Sequence, residues 1–117
     1  MKAPDDLERL LHMRDAGLAA LRFAEGEGRE SLEKDEKLVF ALVRAAEIIG
    51  EAAANVTKPT RDQYAHIPWA LIVGMCNRLI HGYFDVDIDQ VWKTVIEDLP
   101  PLIAELEKII QPDMSKS

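Results

Sequence analysis

Four polar side chains that can do chemistry lie close together in the sequence: Asn77, Arg78, His81 and Tyr83. An imidazole titrates near neutral pH and suits proton transfer, whereas a guanidinium suits the binding of an oxyanion. At about 100° per residue on a helix, Asn77, Arg78 and His81 share one sector with Gly74, which would leave room for the close approach of another group. Tyr83 follows at the end of the same helix. This grouping favours a functional site over a single structural histidine.

Other kinds of site find little support in the sequence. His12 and His66 form neither an H-x-x-x-H nor an E-x-x-H pair with His81, so we expect no metal site and no cofactor. No glycine-rich nucleotide loop or nucleophile elbow is present, and Cys76 lacks the surroundings of a cysteine protease nucleophile. From the residues alone, the interpretation ends at a helical protein with a polar site around 77–83.

A second polar stripe runs along the most apolar part of the chain. Arg44, Glu47, Glu51 and Asn55 are spaced three, four and four residues apart, so they share one narrow face of a helix. Charged side chains are usually exposed, so a solvated edge is one interpretation. The rest of this segment is apolar nearly all round and an unpaired buried charge is costly, so a cleft or a subunit interface is the other. The sequence leaves both open.

The polar stripes are carried by helices. Leucines at helical spacing over 7–21 predict a first amphipathic helix, and the nearly all-apolar segment 38–53 predicts a second helix at the centre of the fold. The proline-containing segment 55–68 is typical of a connecting loop. Pro68 is well placed as the first residue of a third helix, which is expected to end at about Gly82.

The last third of the chain predicts two more helices. Asp85 and Asp87 are candidate N-caps of a fourth helix, and Pro100 and Pro101 are expected to break it and to start a fifth. Residues 112–117 are expected to be a loose tail. With no strand pattern and no internal repeat, the fold class is an all-α bundle of four to five helices, and residues 1–117 are expected to form a single domain.

Composition limits the classes of function. The 117 residues include 48% hydrophobic and 30% charged side chains, which excludes a disordered or fibrous protein. A single cysteine excludes an internal disulfide. The N-terminus lacks the apolar stretch of a signal peptide and no segment is long enough to span a membrane, so we expect a cytoplasmic protein without membrane contacts.

The net charge of −7 argues against a broad nucleic-acid-binding surface, because phosphates are bound by local positive charge. The charge is uneven, however. Residues 56–83 contain Lys58, Arg61 and Arg78 against the acidic Asp62, so the segment around the polar site is mildly positive. Any contact with nucleic acid should therefore be narrow and local.

Three stretches of the chain resemble one known family. Residues 67–87, IPWALIVGMCNRLIHGYFDVD, are similar to the signature of the HepT-like proteins, which belong to the HEPN superfamily of small helical ribonucleases. Residues 43–54 resemble the second helix of that family, and residues 87–102 continue the similarity. The resemblance covers nearly the whole chain.

The resemblance implies the toxin of a type VII toxin–antitoxin pair from a bacterium or archaeon. Members of the family are homodimeric, metal-independent endoribonucleases that cleave RNA in a cleft between two subunits. Their partner is a small MNT-type nucleotidyltransferase, which neutralises the toxin by transferring AMP to the tyrosine of an R-x(4)-H-x-Y motif. On this sequence the resemblance makes His81 the catalytic histidine and Tyr83 the AMP acceptor.

The sequence departs from that motif at Cys76, which stands where the family has its arginine. The nearby Arg78 belongs to the family's ordinary N-R-L stretch and is not expected to substitute. Because the missing arginine would stabilise phosphoryl charge, we expect the chain to bind RNA weakly and to cleave it poorly or not at all. Asn77 and Arg78 are expected to support the site. Either Glu47 or Glu51 is expected to orient the catalytic histidine.

Two alternatives to the ribonuclease remain. The first is a non-catalytic dimeric subunit that docks a nucleotidyltransferase, which Cys76 favours, whereas the intact His81 and Tyr83 favour the enzyme. The second is an unrelated four-helix structural protein, against which the extent of the resemblance argues. An RNA cleavage assay distinguishes the enzyme from the non-catalytic subunit.

Overall fold

The computed structural model describes the backbone of residues 4–79 and 86–115, with the side chains of residues 5–75, 77–79 and 86–111. Within these ranges the chain is helical and contains no strand, which confirms the expected all-α fold. In chain order the helices are α1 (Pro4–Ala24), α2 (Ser31–Lys34), α3 (Glu36–Asn55), α4 (Lys58–Gln63), α5 (Trp69–Val73), α6 (Met75–Leu79), α7 (Ile88–Lys93) and α8 (Leu99–Ser115). A π-helical turn (Thr94–Asp98) joins α7 to α8.

Helix α3 lies at the centre of the fold, as its apolar circumference predicts. It packs along α1 and also contacts α5, α6 and α7. Its buried side chains include Leu38, Val39, Leu42, Val43, Ile49 and Ala53. Helix α8 packs against α1 as well, where Leu106 and Ile110 are fully buried. The core therefore joins α1, α3 and α8, and the shorter helices α5 to α7 pack on α3.

Two aspartates cap the helices that follow them. Asp35 accepts a hydrogen bond from the N–H group of Leu38 (3.1 Å) at the start of α3. Asp87 accepts one from the N–H group of Gln90 (3.0 Å) at the start of α7. Each bond satisfies a backbone donor that has no partner within its helix. Asp87 is thus confirmed as an N-cap, whereas Asp85 lies outside the described residues.

The segment 55–68 contains the short helix α4, so the prediction of a plain connecting loop is wrong. Asp6 of α1 is fully buried and accepts hydrogen bonds from the Thr57 N–H group (3.0 Å) and from Thr60 Oγ1 (2.6 Å). The carboxylate therefore satisfies a backbone donor at the start of α4. Thr57 as N-cap and a proline in the first turn are local signals for this helix, but α4 is only six residues long (KPTRDQ) and has no apolar periodicity.

The predicted third helix is divided at Gly74 into α5 and α6. Gly74 ends α5, and the N–H group of Asn77 donates to its carbonyl oxygen (3.1 Å). Glycine inside a helix costs about 1 kcal/mol relative to alanine, which favours a break there. Pro68 precedes α5 as its N-cap instead of occupying its first turn. The described part of α6 ends at Leu79, so the expected end at Gly82 lies outside the described residues.

Pro100 and Pro101 lie in the first turn of α8, so the expected fifth helix starts at the prolines, but the expected break of the preceding helix does not occur and that part of the prediction is wrong. The π-helical turn runs directly into α8, and the N–H group of Leu99 donates to the carbonyl oxygen of Thr94, five residues back. In a regular α-helix, proline lacks the N–H group and its ring collides with the carbonyl four residues earlier. The wider turn changes that register immediately before the prolines, so the helix continues through them.

Helix lengths bear on two further expectations. Helix α8 runs to Ser115, so it includes residues 112–115 of the segment expected to be a loose tail. Residues 116–117 lie outside the described range. None of the described helices is both long and apolar enough to cross a membrane.

Candidate functional site

Helix α6 carries the described part of the polar site. Leu79 is fully buried, and Trp69 and Ile72 of α5 are buried as well, so the apolar side of this segment faces the core as expected. Asn77 and Arg78 are exposed. The division between a buried apolar side and an exposed polar side therefore follows the helical spacing of the sequence.

The side chains of three other expected site residues are not described. His81 and Tyr83 lie beyond Leu79, where the described part of α6 ends. Cys76 belongs to α6, but only its backbone is described. The roles expected for these residues remain predictions.

Arg78 is anchored to the preceding helix. Its Nη1 atom donates a hydrogen bond to the carbonyl oxygen of Leu71 (2.8 Å), which lies in α5. No carboxylate of the described ranges forms an ion pair with the Arg78 guanidinium. The hydrogen bond therefore holds a positive charge beside α5 without neutralising it.

The room expected beside Gly74 for another group stays a prediction, and within the chain it is Gly50 that has the nearer neighbours. A Cβ atom at Gly74 would lie 3.6 Å from the carbonyl oxygen of Ala70, in the turn just before it, and no other described element comes nearer. A Cβ atom at Gly50 would lie 3.4 Å from the carbonyl oxygens of both Ile72 and Val73. Gly50 thus lies where α3 packs on the end of α5, and a Cβ atom would fit there in van der Waals contact. The sequence signal was a glycine inside an otherwise apolar helix.

The α3 stripe, defined as Arg44, Glu47, Glu51 and Asn55, is largely exposed in the chain. The Nη1 atom of Arg44 lies 4.0 Å from Oε1 of Glu47 and 3.8 Å from Oε1 of Glu51. Asn55 donates a hydrogen bond to the carbonyl oxygen of Glu51 (2.9 Å). The solvated-edge interpretation therefore describes the stripe within one chain, and an interface would need a second subunit.

A polar groove of about 380 Å³ lies between α1 and α3. Glu51 and Asn55 of the α3 stripe line it together with Glu8, Arg9 and His12 of α1. Nε2 of His12 lies 3.8 Å from Oε1 of Glu8. Neither this groove nor any other part of the described chain groups three His, Cys, Asp or Glu side chains so that they could hold a metal ion.

A larger groove of about 600 Å³ separates α5 and α6 from α7, the π-helical turn and α8, and we call it the α5–α8 groove. Its charged and titratable lining side chains are His66, Arg78, Lys93, Glu97, Asp98 and Glu105. Of these side chains, only Arg78 was expected from the sequence to be a site residue. The others escape it because the groove forms between segments that are distant in the sequence.

A histidine–carboxylate pair closes one end of the α5–α8 groove. Nε2 of His66 lies 3.1 Å from Oε2 of Glu105, and Lys108 donates to Oε1 of the same carboxylate (3.2 Å). The hydrogen bond from Lys108 lowers the pKa of Glu105, burial opposes this, and the contact with His66 lowers the pKa further. The ring of Tyr64 meets the His66 ring edge-on, with 6.5 Å between centroids. His66 is therefore held in place from two sides.

Comparison with known proteins assigns the chain to a family. Residues 13–109 match the family described as ribonuclease HepT-like. The match begins within α1 and ends within α8, so it includes all of α3 and α6 and the Asn77–Tyr83 segment. No solved structure matches the chain.

Three relatives give the same assignment. The chain is 39% identical over 84 residues (72% of this chain, 75% of the relative) to a protein of Caldanaerobacter subterraneus subsp. tengcongensis that is provisionally named an RNase. It is 45% identical over 75 residues (64% and 68%) to the "probable ribonuclease HepT" of Thermococcus cleftensis. It is 37% identical over 91 residues (78% and 75%) to a provisionally named RNase of Methanocaldococcus jannaschii. The chain therefore belongs to the family of HepT-like ribonucleases.

Proposed function

We propose that this chain is a metal-independent endoribonuclease whose site is formed by α6 and the residues that follow it. The observation that carries the proposal is the family match over residues 13–109, which runs through this segment and includes His81. Helix α6 supports it, because its exposed side presents Asn77 and Arg78, which precede His81 in the sequence by four and three positions.

The RNA substrate supplies its own nucleophile in such a reaction. The imidazole of His81 accepts the proton of a ribose 2′-OH, and the 2′-oxygen forms a bond to the adjacent phosphorus. The bond from phosphorus to the 5′-oxygen breaks, and a protonated imidazole donates the proton that this leaving oxygen needs. The products are a 2′,3′-cyclic phosphate and a 5′-hydroxyl. An imidazole suits both proton transfers because it titrates near neutral pH.

Cys76 limits the rate of this reaction in our proposal. An arginine at this position would stabilise the negative charge that develops on the phosphoryl oxygens, and a cysteine side chain has no positive charge to do so. Loss of one preorganised donor of this kind costs roughly 10²–10³ in rate in other enzymes. The wild-type chain should therefore be a slow nuclease.

Cleavage of a labelled single-stranded RNA in the presence of EDTA tests the proposal. We expect Cys76→Arg to cleave about 10²–10³ times faster than the wild-type chain, and Cys76→Ser, which adds no charge, to match the wild type. His81→Ala made in the Cys76→Arg background should lose cleavage. Equal rates for wild type and Cys76→Arg would contradict the role of position 76. Full cleavage by the His81→Ala double variant would overturn the proposed site.

We further propose that the enzyme is a homodimer with its cleft between subunits. Phe40 on α3 and Val73 at the end of α5 are exposed although both are apolar. Phe40 lies four positions before Arg44 on the same helix, so its side chain continues the α3 stripe. A two-fold symmetric pair would cover these apolar groups and give the charges of the stripe partners on a second subunit.

Regulation by a partner completes the proposal. Tyr83 is the proposed acceptor of AMP from an MNT-type nucleotidyltransferase, so the chain would be the toxin of a type VII pair acting in the cytoplasm. Attached AMP would add bulk and negative charge where an RNA phosphate must enter. Incubation with such an enzyme and ATP should add the mass of AMP to the peptide that contains Tyr83, and Tyr83→Phe should stay unmodified. An unmodified wild-type peptide would contradict this role.

A second function, that of a non-catalytic dimeric subunit of a nucleotidyltransferase complex, is favoured by Cys76 alone. If the chain has this second function, neither the wild-type chain nor Cys76→Arg should cleave RNA, and both should bind the nucleotidyltransferase. The rate measurements on the Cys76 variants therefore decide between the two functions.

A further inference from the structure

The α5–α8 groove has two chemically different ends. At one end Nε2 of His66 lies 3.1 Å from Oε2 of Glu105. Beyond the other end the N–H group of Asp87 donates to the carbonyl oxygen of Leu79 (2.7 Å). One wall of the groove is formed by residues 66–78 and the other by residues 90–105. Because the start of the first wall lies beside the end of the second, the two walls run in opposite directions. Arg78, which precedes Leu79, therefore lies toward the end opposite the histidine.

The floor of the α5–α8 groove is apolar. Ile72 and Met75 lie buried at its base, and Pro101 lines the opposite wall. Leu71 also lines it and is 62% exposed, so this side chain has an uncovered apolar surface. Grooves of about 300–1,000 Å³ with an apolar lining and a few polar groups are typical small-ligand sites. At about 600 Å³ this groove is of that kind.

The charged rim is mixed. Lys93 joins Arg78 as a positive charge, and neither forms an ion pair within the described part of the chain. Glu97 and Asp98 also line the groove and lie between Lys93 and Glu105 along the helix. The end of α7, the π-helical turn and α8 form one continuous helical segment, which rises roughly 18 Å from position 93 to 105 at about 1.5 Å per residue. The groove thus presents positive charge, then carboxylates, then an imidazole.

This order matches the parts of a ribonucleotide. A phosphate is bound by positive side chains, a ribose hydroxyl donates well to a carboxylate, and a base packs on an apolar surface while its edge forms hydrogen bonds. A nucleic acid duplex fits less well, because the carboxylates would repel its closely spaced phosphates.

We propose that the α5–α8 groove binds one ribonucleotide. Its phosphate lies against Arg78 and Lys93, its ribose hydroxyls donate to Glu97 or Asp98, and its base lies on Leu71 with its edge toward the His66–Glu105 pair. The ligand has two sources, a nucleotide of an RNA strand or a free mononucleotide. The first source rests on the proposed ribonuclease function, because α6 carries both Arg78 and the start of the proposed cleavage site.

Calorimetric titration of the wild-type chain with AMP, with dAMP and with inorganic phosphate tests the binding. We expect AMP to bind about tenfold more tightly than dAMP, because a hydrogen bond from the 2′-hydroxyl to a carboxylate is lost in dAMP. Lys93→Glu should weaken AMP binding about tenfold or more, since it reverses a charge beside the phosphate. Lys37→Glu, an exposed lysine of α3 outside the groove, is the matched control and should leave AMP binding unchanged.

Two further variants test the ribose and the base. Glu97→Gln combined with Asp98→Asn should remove the preference for AMP over dAMP. Leu71→Ser should weaken both nucleotides equally, because both carry the same base. Circular dichroism of each variant checks that the helices are retained. No binding of AMP, or equal binding by wild type and Lys93→Glu, would overturn the proposal.

Competition separates the two sources of the nucleotide. In the His81→Ala variant, a single-stranded RNA that displaces AMP identifies a nucleotide of RNA as the ligand, and an RNA that fails to do so identifies a free nucleotide. Both results support the groove as a ribonucleotide site. If Lys93→Glu disrupts only dimer formation or partner binding while AMP binding persists, the groove is a protein interface and the proposal is wrong.

Failure of this inference is separate from failure of the proposed function. The groove is tested by AMP binding and Lys93→Glu, whereas the ribonuclease site is tested by RNA cleavage and His81→Ala. A chain that cleaves RNA but does not bind AMP disproves only the groove. A chain that binds AMP in the groove but never cleaves RNA disproves only the nuclease.

Discussion

Asp6 shows how one side chain organises a helix far away in the sequence. Its carboxylate is fully buried and accepts hydrogen bonds from Thr57 and Thr60 at the start of α4. Burial raises the pKa of Asp6, but the hydrogen bonds from Thr57 and Thr60 and the positive charge of Arg9 more than offset it, so the pKa lies below its ordinary value. The folded state is therefore stabilised by the ionised carboxylate.

We expect Asp6→Asn to lower the free energy of unfolding by about 1.5–3 kcal/mol at neutral pH, because charge-assisted hydrogen bonds are lost in a buried site. The lowered pKa means that this contribution is fully present above the ordinary pKa of 3.8 and is lost as pH falls through the folded value. Urea unfolding should show that the difference in the free energy of unfolding between wild type and Asp6→Asn becomes smaller below that pH.

The exposed neighbour Asp5 supplies the control for this measurement. Asp5→Asn should change the free energy of unfolding by less than about 0.5 kcal/mol. Equal losses in the free energy of unfolding for Asp5→Asn and Asp6→Asn would contradict the role assigned to Asp6. A difference between wild type and Asp6→Asn that stays the same in acid would contradict it as well.

Among the helices, α3 packs on the end of α5 at Gly50. A Cβ atom there would lie in van der Waals contact, at 3.4 Å, with two carbonyl oxygens of α5, so the additional methyl groups of Gly50→Val would crowd this contact. We expect a loss of about 1–3 kcal/mol in the free energy of unfolding. Gly74→Val is the matched control, with a nearest carbonyl oxygen at 3.6 Å, and should cost less than about 1 kcal/mol. A larger loss at Gly74 would contradict close packing at Gly50.

Helices that depend on local signals could be predicted from the sequence, and those that depend on distant groups could not. The apolar circumference of α3 and the Asp87 cap of α7 are local, and both are found as expected. Helix α4 has local start signals but no apolar periodicity, and the carboxylate bonded to its first residues, Asp6, lies 51 residues before Thr57. Pro100 follows a π-helical turn, which makes it compatible with a continuous helix. No local pattern in the sequence predicts that turn.

Over the whole molecule, the same distinction separates the two parts of the surface that carry chemistry. The Asn77–Tyr83 segment is contiguous, so its residue types and spacing could be recognised directly. The α5–α8 groove forms when His66 and Glu105, 39 residues apart, meet across two packed walls. Such a pairing leaves no periodic signal in a single sequence. The charge of −7 also hides it, because Arg78 and Lys93 are few among many acidic side chains.

The proposed homodimer makes a prediction that only two chains together can test. If the cleft takes His81 from one subunit and Glu47 from the α3 stripe of the other, each chain contributes half of two sites. In the Cys76→Arg background, His81→Ala and Glu47→Gln should each lose most of their activity. Their mixed dimers should contain one cleft with both wild-type side chains.

An equal mixture of these two variants, refolded together, should therefore recover about a quarter of the parent activity, because half of the dimers are mixed and each has one intact cleft. Light scattering should give a dimer for the parent and for both variants. Two wild-type-like chains that differ only by Lys37→Glu provide the control for the mixing procedure. Activity equal to the mean of the separate variants would show that each subunit contains its whole site, because only a shared cleft can be rebuilt by mixing.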